Sequence, residues 1–67
     1  MTRQKKPREW LTQLRVDMGM TQAQLGKFAN VTNYQISKIE IGKNNPSVLV
    51  AKKIADVLNF NWTQFYE

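Results

Sequence analysis

Apolar side chains recur at helical spacing along most of this chain, each series marking a helix with one buried face. Leu11, Leu14 and Met18 make the first stripe, flanked by Trp10. Pro7 fits its opening turn, where a missing N–H costs nothing, and Gly19 is a permissive stop. Thr21 to Gln24 (TQAQ) then spells a capping box, in which Thr21 accepts from the backbone N–H of Gln24 and the Gln24 side chain returns to Thr21. A second helix follows, with Leu25, Phe28 and Ala29 as its apolar face and Asn30, which tolerates left-handed backbone, as its turn. The signal repeats at once: Thr32 to Gln35 (TNYQ) opens a third helix whose inward residues are Ile36 and Ile39. So short a join forces helices two and three to cross steeply, the geometry of a helix-turn-helix.

Residues 42–46 (GKNNP) are dense in turn formers and predict a loop. Ser47 caps a fourth helix with Val48, Ala51, Ile54, Ala55 and Leu58 on one face, Lys52, Lys53 and Asp56 outside, and Asn59 at its end. Asn61 with Gln64 resembles one more cap-and-return pair, ahead of Trp62, Phe65 and Tyr66 in a short final helix that would close the core. The expectation is an all-α, five-helix domain without strands.

A chain of 67 residues has room for one domain, and one this short buries only about 60% of the surface it exposes when unfolded. Residues 1–6 carry Arg3, Lys5 and Lys6 with no large apolar residue beyond the initiator, and read as a flexible basic arm ahead of a domain at 7–67. Lys plus Arg number 10 against 5 Asp plus Glu, and the net charge of +5 favours a polyanionic partner. Cysteine and histidine are both absent, which removes disulfides, thiolate ligands, common zinc sites, Ser-His-Asp chemistry and most general-base catalysis. The acids Glu9, Asp17, Glu40, Asp56 and Glu67 fall on separate elements and form no catalytic pair, so no enzyme activity, metal or cofactor is expected. Apolar runs fall far short of the ~20 residues of a membrane span, and none follows the basic start as a signal peptide requires. A soluble, cytoplasmic protein is expected.

Taken in order and with their spacings, LTQLR at 11–15, GMTQAQL at 19–25, VTNYQISKIE at 31–40, GKNNPS at 42–47 and KIADVL at 53–58 resemble the Cro and phage-repressor (XRE) family of helix-turn-helix regulators, over nearly the whole chain. The resemblance implies a phage-repressor-like fold and sequence-specific binding to a double-stranded DNA operator, as a repressor of phage or mobile-element type. Gly26 stands where the family usually has alanine, because the motif helices approach closely there. Glycine costs about 0.5 to 1 kcal/mol of helix propensity, so Gly26→Ala is expected to stabilise the fold and leave DNA binding unaltered. Arg15 and Glu40 match positions at which family members pair helix one with the end of the recognition helix, which implies a structural ion pair.

In this motif the N-terminal half of the second helix enters the major groove. Its outward residues here, Asn33, Tyr34, Ser37 and Lys38, are the expected base contacts. Asn33 resembles an adenine-reading amide, Lys38 can donate to guanine, and Tyr34 could pack on a thymine methyl or reach a phosphate. Phosphate contacts fix register without reading sequence. They fall to Thr21 and Gln22 at the start of helix two, where the helix dipole favours an anion, and to Lys43, Asn44 and Asn45 in the loop. Gln35 either joins them or serves only its capping box. The arm at Arg3, Lys5 and Lys6 either tracks a groove or is a solvated tail.

The resemblance implies a homodimer on an inverted repeat, since two recognition helices must reach half-sites about one helical turn apart. Leu49, Val50, Val57 and Phe60 form the candidate self-association surface. The aromatics at 60, 62, 65 and 66 could be a stacking platform for single strands, but no basic residue lies between them and a small core needs their area. A different class of function stays open on the same fold: an antitoxin or other protein-interaction module, whose partner would be a toxin or an antirepressor.

Overall fold

The computed structural model describes residues 7–66; the arm at 1–6 and Glu67 lie outside the described residues. Four α-helices follow one another, α1 (Glu9–Asp17), α2 (Gln22–Ala29), α3 (Asn33–Glu40) and α4 (Val48–Leu58), and a 3₁₀ segment, Trp62–Tyr66, closes the chain. No strand occurs among the described residues.

Local chemistry sets the helix ends. Both capping boxes form: Thr21 Oγ1 accepts from Gln24 N at 3.1 Å while Gln24 Oε1 accepts from Thr21 N at 2.8 Å, and Thr32 and Gln35 repeat the exchange at 3.1 and 3.0 Å. Asn30 and Asn59 end α2 and α4 in left-handed conformation, at φ 63° and 62°, a region in which asparagine is among the few tolerated side chains. Ser47 Oγ accepts from Val50 N at 3.2 Å and starts α4.

Leu11 from α1, Leu25 from α2, Ile36 from α3 and Ile54 from α4 are fully buried and meet in one core, closed by Phe65. Each contributes roughly 1.5 to 3 kcal/mol on burial. Around Phe65, the rings of Trp10 and Phe60 lie 5.5 Å away and 5.1 Å from each other, tying the start of α1 to the chain end. The Tyr66 hydroxyl donates to the Pro46 carbonyl at 2.7 Å and fastens the same end to the α3–α4 loop.

Several expectations need correction. The fifth helix is a 3₁₀ segment of five residues, in which Gln64 N donates three residues back, to Asn61 O, at 3.0 Å. Asn61 caps it through the backbone N–H and hydroxyl of Thr63, at 3.0 and 2.9 Å, rather than through the Gln64 side chain. Pro7 precedes α1 instead of opening it, because Arg8 N donates to Glu40 O at 2.7 Å and holds the chain outside helical geometry. Met18 is exposed because α1 has already ended at Asp17. Phe28 is 60% exposed; at ~100° per residue it lies roughly 110° from the centre of the stripe made by Leu25, Gly26 and Ala29. Val48, in the first turn of α4, is likewise exposed.

Gly26 is the sharpest reversal. A Cβ there would stand 2.6 Å from the Val31 carbonyl oxygen and 3.2 Å from the Thr32 carbonyl carbon and oxygen. Those are backbone atoms, which cannot rotate away as a side chain can. The expectation that alanine stabilises this position is withdrawn.

Candidate nucleic-acid interface

The interface is built on the turn between α2 and α3. Val31 N donates to Gly26 O at 2.8 Å, so the chain turns back within a few residues of leaving α2. Ile36, Ile39 and Glu40 are then buried on one side of α3, while Asn33, Tyr34 and Gln35 are exposed and Ser37 and Lys38 half-buried. The four expected base-contact residues therefore share the outer side of one helix. The Lys38 ammonium lies 4.9 Å over the Tyr34 ring. Hydrogen bonding and then charge from Lys38 hold the Tyr34 phenol below its ordinary pKa against an opposing effect of desolvation, with a lesser contribution from Lys43.

The expected ion pair is present and belongs to a larger network. Arg15 Nε donates to Glu40 Oε2 at 2.6 Å, and its Nη2 to Oε1 at 3.2 Å. Arg15 Nη1 reaches the Met20 carbonyl at 2.7 Å, so the guanidinium also locks the α1–α2 turn. Glu40 is 4% exposed; its Oε1 accepts further from Thr12 Oγ1 and from Gln22 Nε2, each at 3.1 Å. A buried carboxylate so supplied with donors is satisfied at both oxygens. Gln22, at the first position of α2, is thus oriented by α3. One N–H of its amide is committed to Glu40, and the other remains to donate elsewhere.

The loop after α3 folds back on the helix that precedes it. Gly42 turns at φ 85°, and the backbone N–H groups of Lys43 and Asn44 donate to Lys38 O at 3.0 and 3.3 Å. Gln35, Asn44 and Asn45 line one cleft of roughly 200 Å³ with Val31, Ile39, Pro46, Ser47 and Val50. Three of the residues expected at phosphates are therefore neighbours. Thr21 and Gln22, at the start of α2, do not line this cleft. Thr21 and Gln35 are both engaged in their capping boxes, Gln35 through Oε1.

Arg8 was not singled out from sequence, yet it grips this loop. It donates from Nη1 to the carbonyls of Ile39 at 2.6 Å and Asn44 at 3.1 Å, and from Nη2 to Asn45 Oδ1. Burial pushes its guanidinium pKa down. A signal existed: a cation at the start of a helix is disfavoured by the dipole, so an arginine there implies a tertiary partner.

A helix-turn-helix family model matches residues 11–65. The chain belongs to the helix-turn-helix family. The chain is also 42% identical over 60 residues to a Bacillus subtilis (strain 168) protein named "Uncharacterized HTH-type transcriptional regulator YqaF", a match spanning 90% of this chain and 79% of that one. The resemblance to XRE-type helix-turn-helix regulators is thereby borne out.

On the candidate dimer surface of this helix-turn-helix domain, Leu49 is 65% exposed. Val50, Val57 and Phe60 are half-buried and pack against the core, Phe60 on the rings of Trp10 and Phe65. No helix among the described residues is long and apolar enough to cross a membrane.

Proposed function

We propose that this protein is a transcriptional regulator that binds a double-stranded operator sequence-specifically, as a repressor of phage or mobile-element type acting in the cytoplasm. In this reading α3 lies in the major groove. Asn33, Tyr34, Ser37 and Lys38 face base edges, while Thr21, Gln22, Gln35, Lys43, Asn44 and Asn45 face phosphates. The observation that carries it is the two-sidedness of α3: Ile36, Ile39 and Glu40 anchor one side, which leaves a row of hydrogen-bonding side chains on the other. The net charge of +5 supplies the non-specific attraction such a surface needs. Two copies, joined through Leu49 and its neighbours, would place two such helices on an inverted repeat.

Selection of binding sites from a randomised duplex pool, at stated salt, tests this directly. The expected result is one enriched motif with two inverted halves about one helical turn apart. Recovery of a pool without enriched sequence would remove the reading.

A further inference from the structure

Arg8 caps the positive end of its own helix and makes no side-chain hydrogen bond there. Its fork is directed instead at the last turn of α3 and the loop behind it: the carbonyls of Ile39 and Asn44 and the side-chain oxygen of Asn45, with the Phe65 ring 5.5 Å from its centre. A carboxamide has one accepting end and one donating end. With Oδ1 bound to Arg8, the Nδ2 group is the end of the Asn45 amide left to donate, on an exposed residue and with no hydrogen-bond partner among the described residues.

We propose that Arg8 is a positioning residue for DNA binding. It occupies the accepting end of Asn45 and leaves its donor free, the polarity a phosphate requires, and fixes the backbone at Asn44 against the end of α3. The inference rests on the reading of this loop as a phosphate contact. Arg8 acts through Asn45 rather than by touching DNA, since three of its five N–H donors are committed to internal acceptors. Lysine cannot replace it: one ammonium on a flexible stem does not reproduce a planar fork that holds three acceptors at once.

The test uses the full chain and the duplex that wild-type protein enriches from a random pool. Affinities are compared for wild type, Arg8→Lys, Asn45→Ala and the double variant across a salt series, with folding checked by circular dichroism at the assay temperature. Each single change is expected to weaken binding by about tenfold, the scale of one charge-assisted hydrogen bond. The double variant should bind no worse than the weaker single, and the salt slope of Arg8→Lys should match wild type because the charge is kept. Wild-type affinity in Arg8→Lys overturns the proposal, and so do losses that multiply in the double variant, the mark of a purely structural Arg8. Should Arg8→Lys not fold, the side-chain NH₂ resonance of Asn45 in wild-type protein decides: a shift on adding the duplex is expected, and an unmoved resonance overturns the proposal. A wild-type protein that enriches no duplex removes the DNA reading itself, a result obtained before any variant is made.

Discussion

The Val31 carbonyl oxygen lies against the α-carbon of Gly26, 2.6 Å from where any Cβ would stand, while Val31 N donates back to Gly26 O at 2.8 Å. The two residues close the turn from both sides. Alanine at 26 must push that carbonyl, and with it the entry to α3, outward by several tenths of an ångström. Gly26→Ala is therefore expected to lower stability by about 1 to 3 kcal/mol, as overpacking does, more than the gain in helix propensity returns. Thermal unfolding followed by circular dichroism measures it, and an unchanged or raised midpoint contradicts the packing.

Breaking the Arg15–Glu40 pair at one partner leaves a buried charge, at about 3 to 5 kcal/mol. A domain of this size holds only roughly 3 to 10 kcal/mol in total. Arg15→Met is thus expected to be near the edge of folding in urea titrations, and Glu40→Gln close to it, because one amide oxygen cannot replace two carboxylate oxygens and the amide NH₂ would meet an Arg15 N–H. The double variant should lose less than the two changes added together. Strict additivity would show that the two side chains do not act as a pair.

What could be read from sequence divides by range. The capping boxes at Thr21 and Thr32, the left-handed Asn30 and the end of α4 at Asn59 are set within a few residues, and all were legible. The Arg15–Glu40 pair spans 25 positions, and only a resemblance pointed to it. The Gln22 to Glu40 bond and the Arg8 to Asn45 bond span 18 and 37 positions, and no local pattern carries them. Gly26 misled for a related reason: propensity concerns the residue's own helix, whereas the obstacle is a carbonyl arriving from the next turn. Met18 and Phe28 show a milder limit, since a stripe drawn by spacing alone does not show where a short helix stops or how wide its buried face is.

Tyr34 links the reading surface to pH. Hydrogen bonding and charge from Lys38 lower its folded-state pKa from the ordinary value of 10.0. For an acid with a depressed pKa the linked stabilisation is present only above the unfolded pKa and is lost as pH falls through the folded one, so stability at neutral pH is untouched. DNA binding carries the opposite sign. A phenolate beside phosphates repels them, so affinity should fall as pH rises through the Tyr34 pKa, at lower pH than for a free tyrosine. Tyr34→Phe should remove this alkaline limb and Lys38→Met should move it upward, both readable by fluorescence anisotropy on the selected duplex. A limb unchanged in Tyr34→Phe would assign it to other groups, the lysines first.

Leu49 separates self-association from folding. It is 65% exposed, and at ~100° per residue it lies nearly opposite the buried face of α4 formed by Ala51, Ile54, Ala55 and Leu58. A charge there costs the monomer little, since surface substitutions away from caps and core usually change stability by less than about 0.5 kcal/mol. In a dimer joined through this surface, the same change buries an unpaired charge twice over, once per copy. Leu49→Glu is accordingly expected to keep the wild-type unfolding midpoint, to sediment as a monomer where wild type dimerises, and to bind an isolated half-site as wild type does while losing the tighter binding to the full inverted repeat. Val57→Thr, half-buried and nearer the core, should instead lower the midpoint. Wild-type sedimentation as a strict monomer, free and on the full site, would end the dimer proposal and leave Leu49 as an ordinary exposed apolar residue.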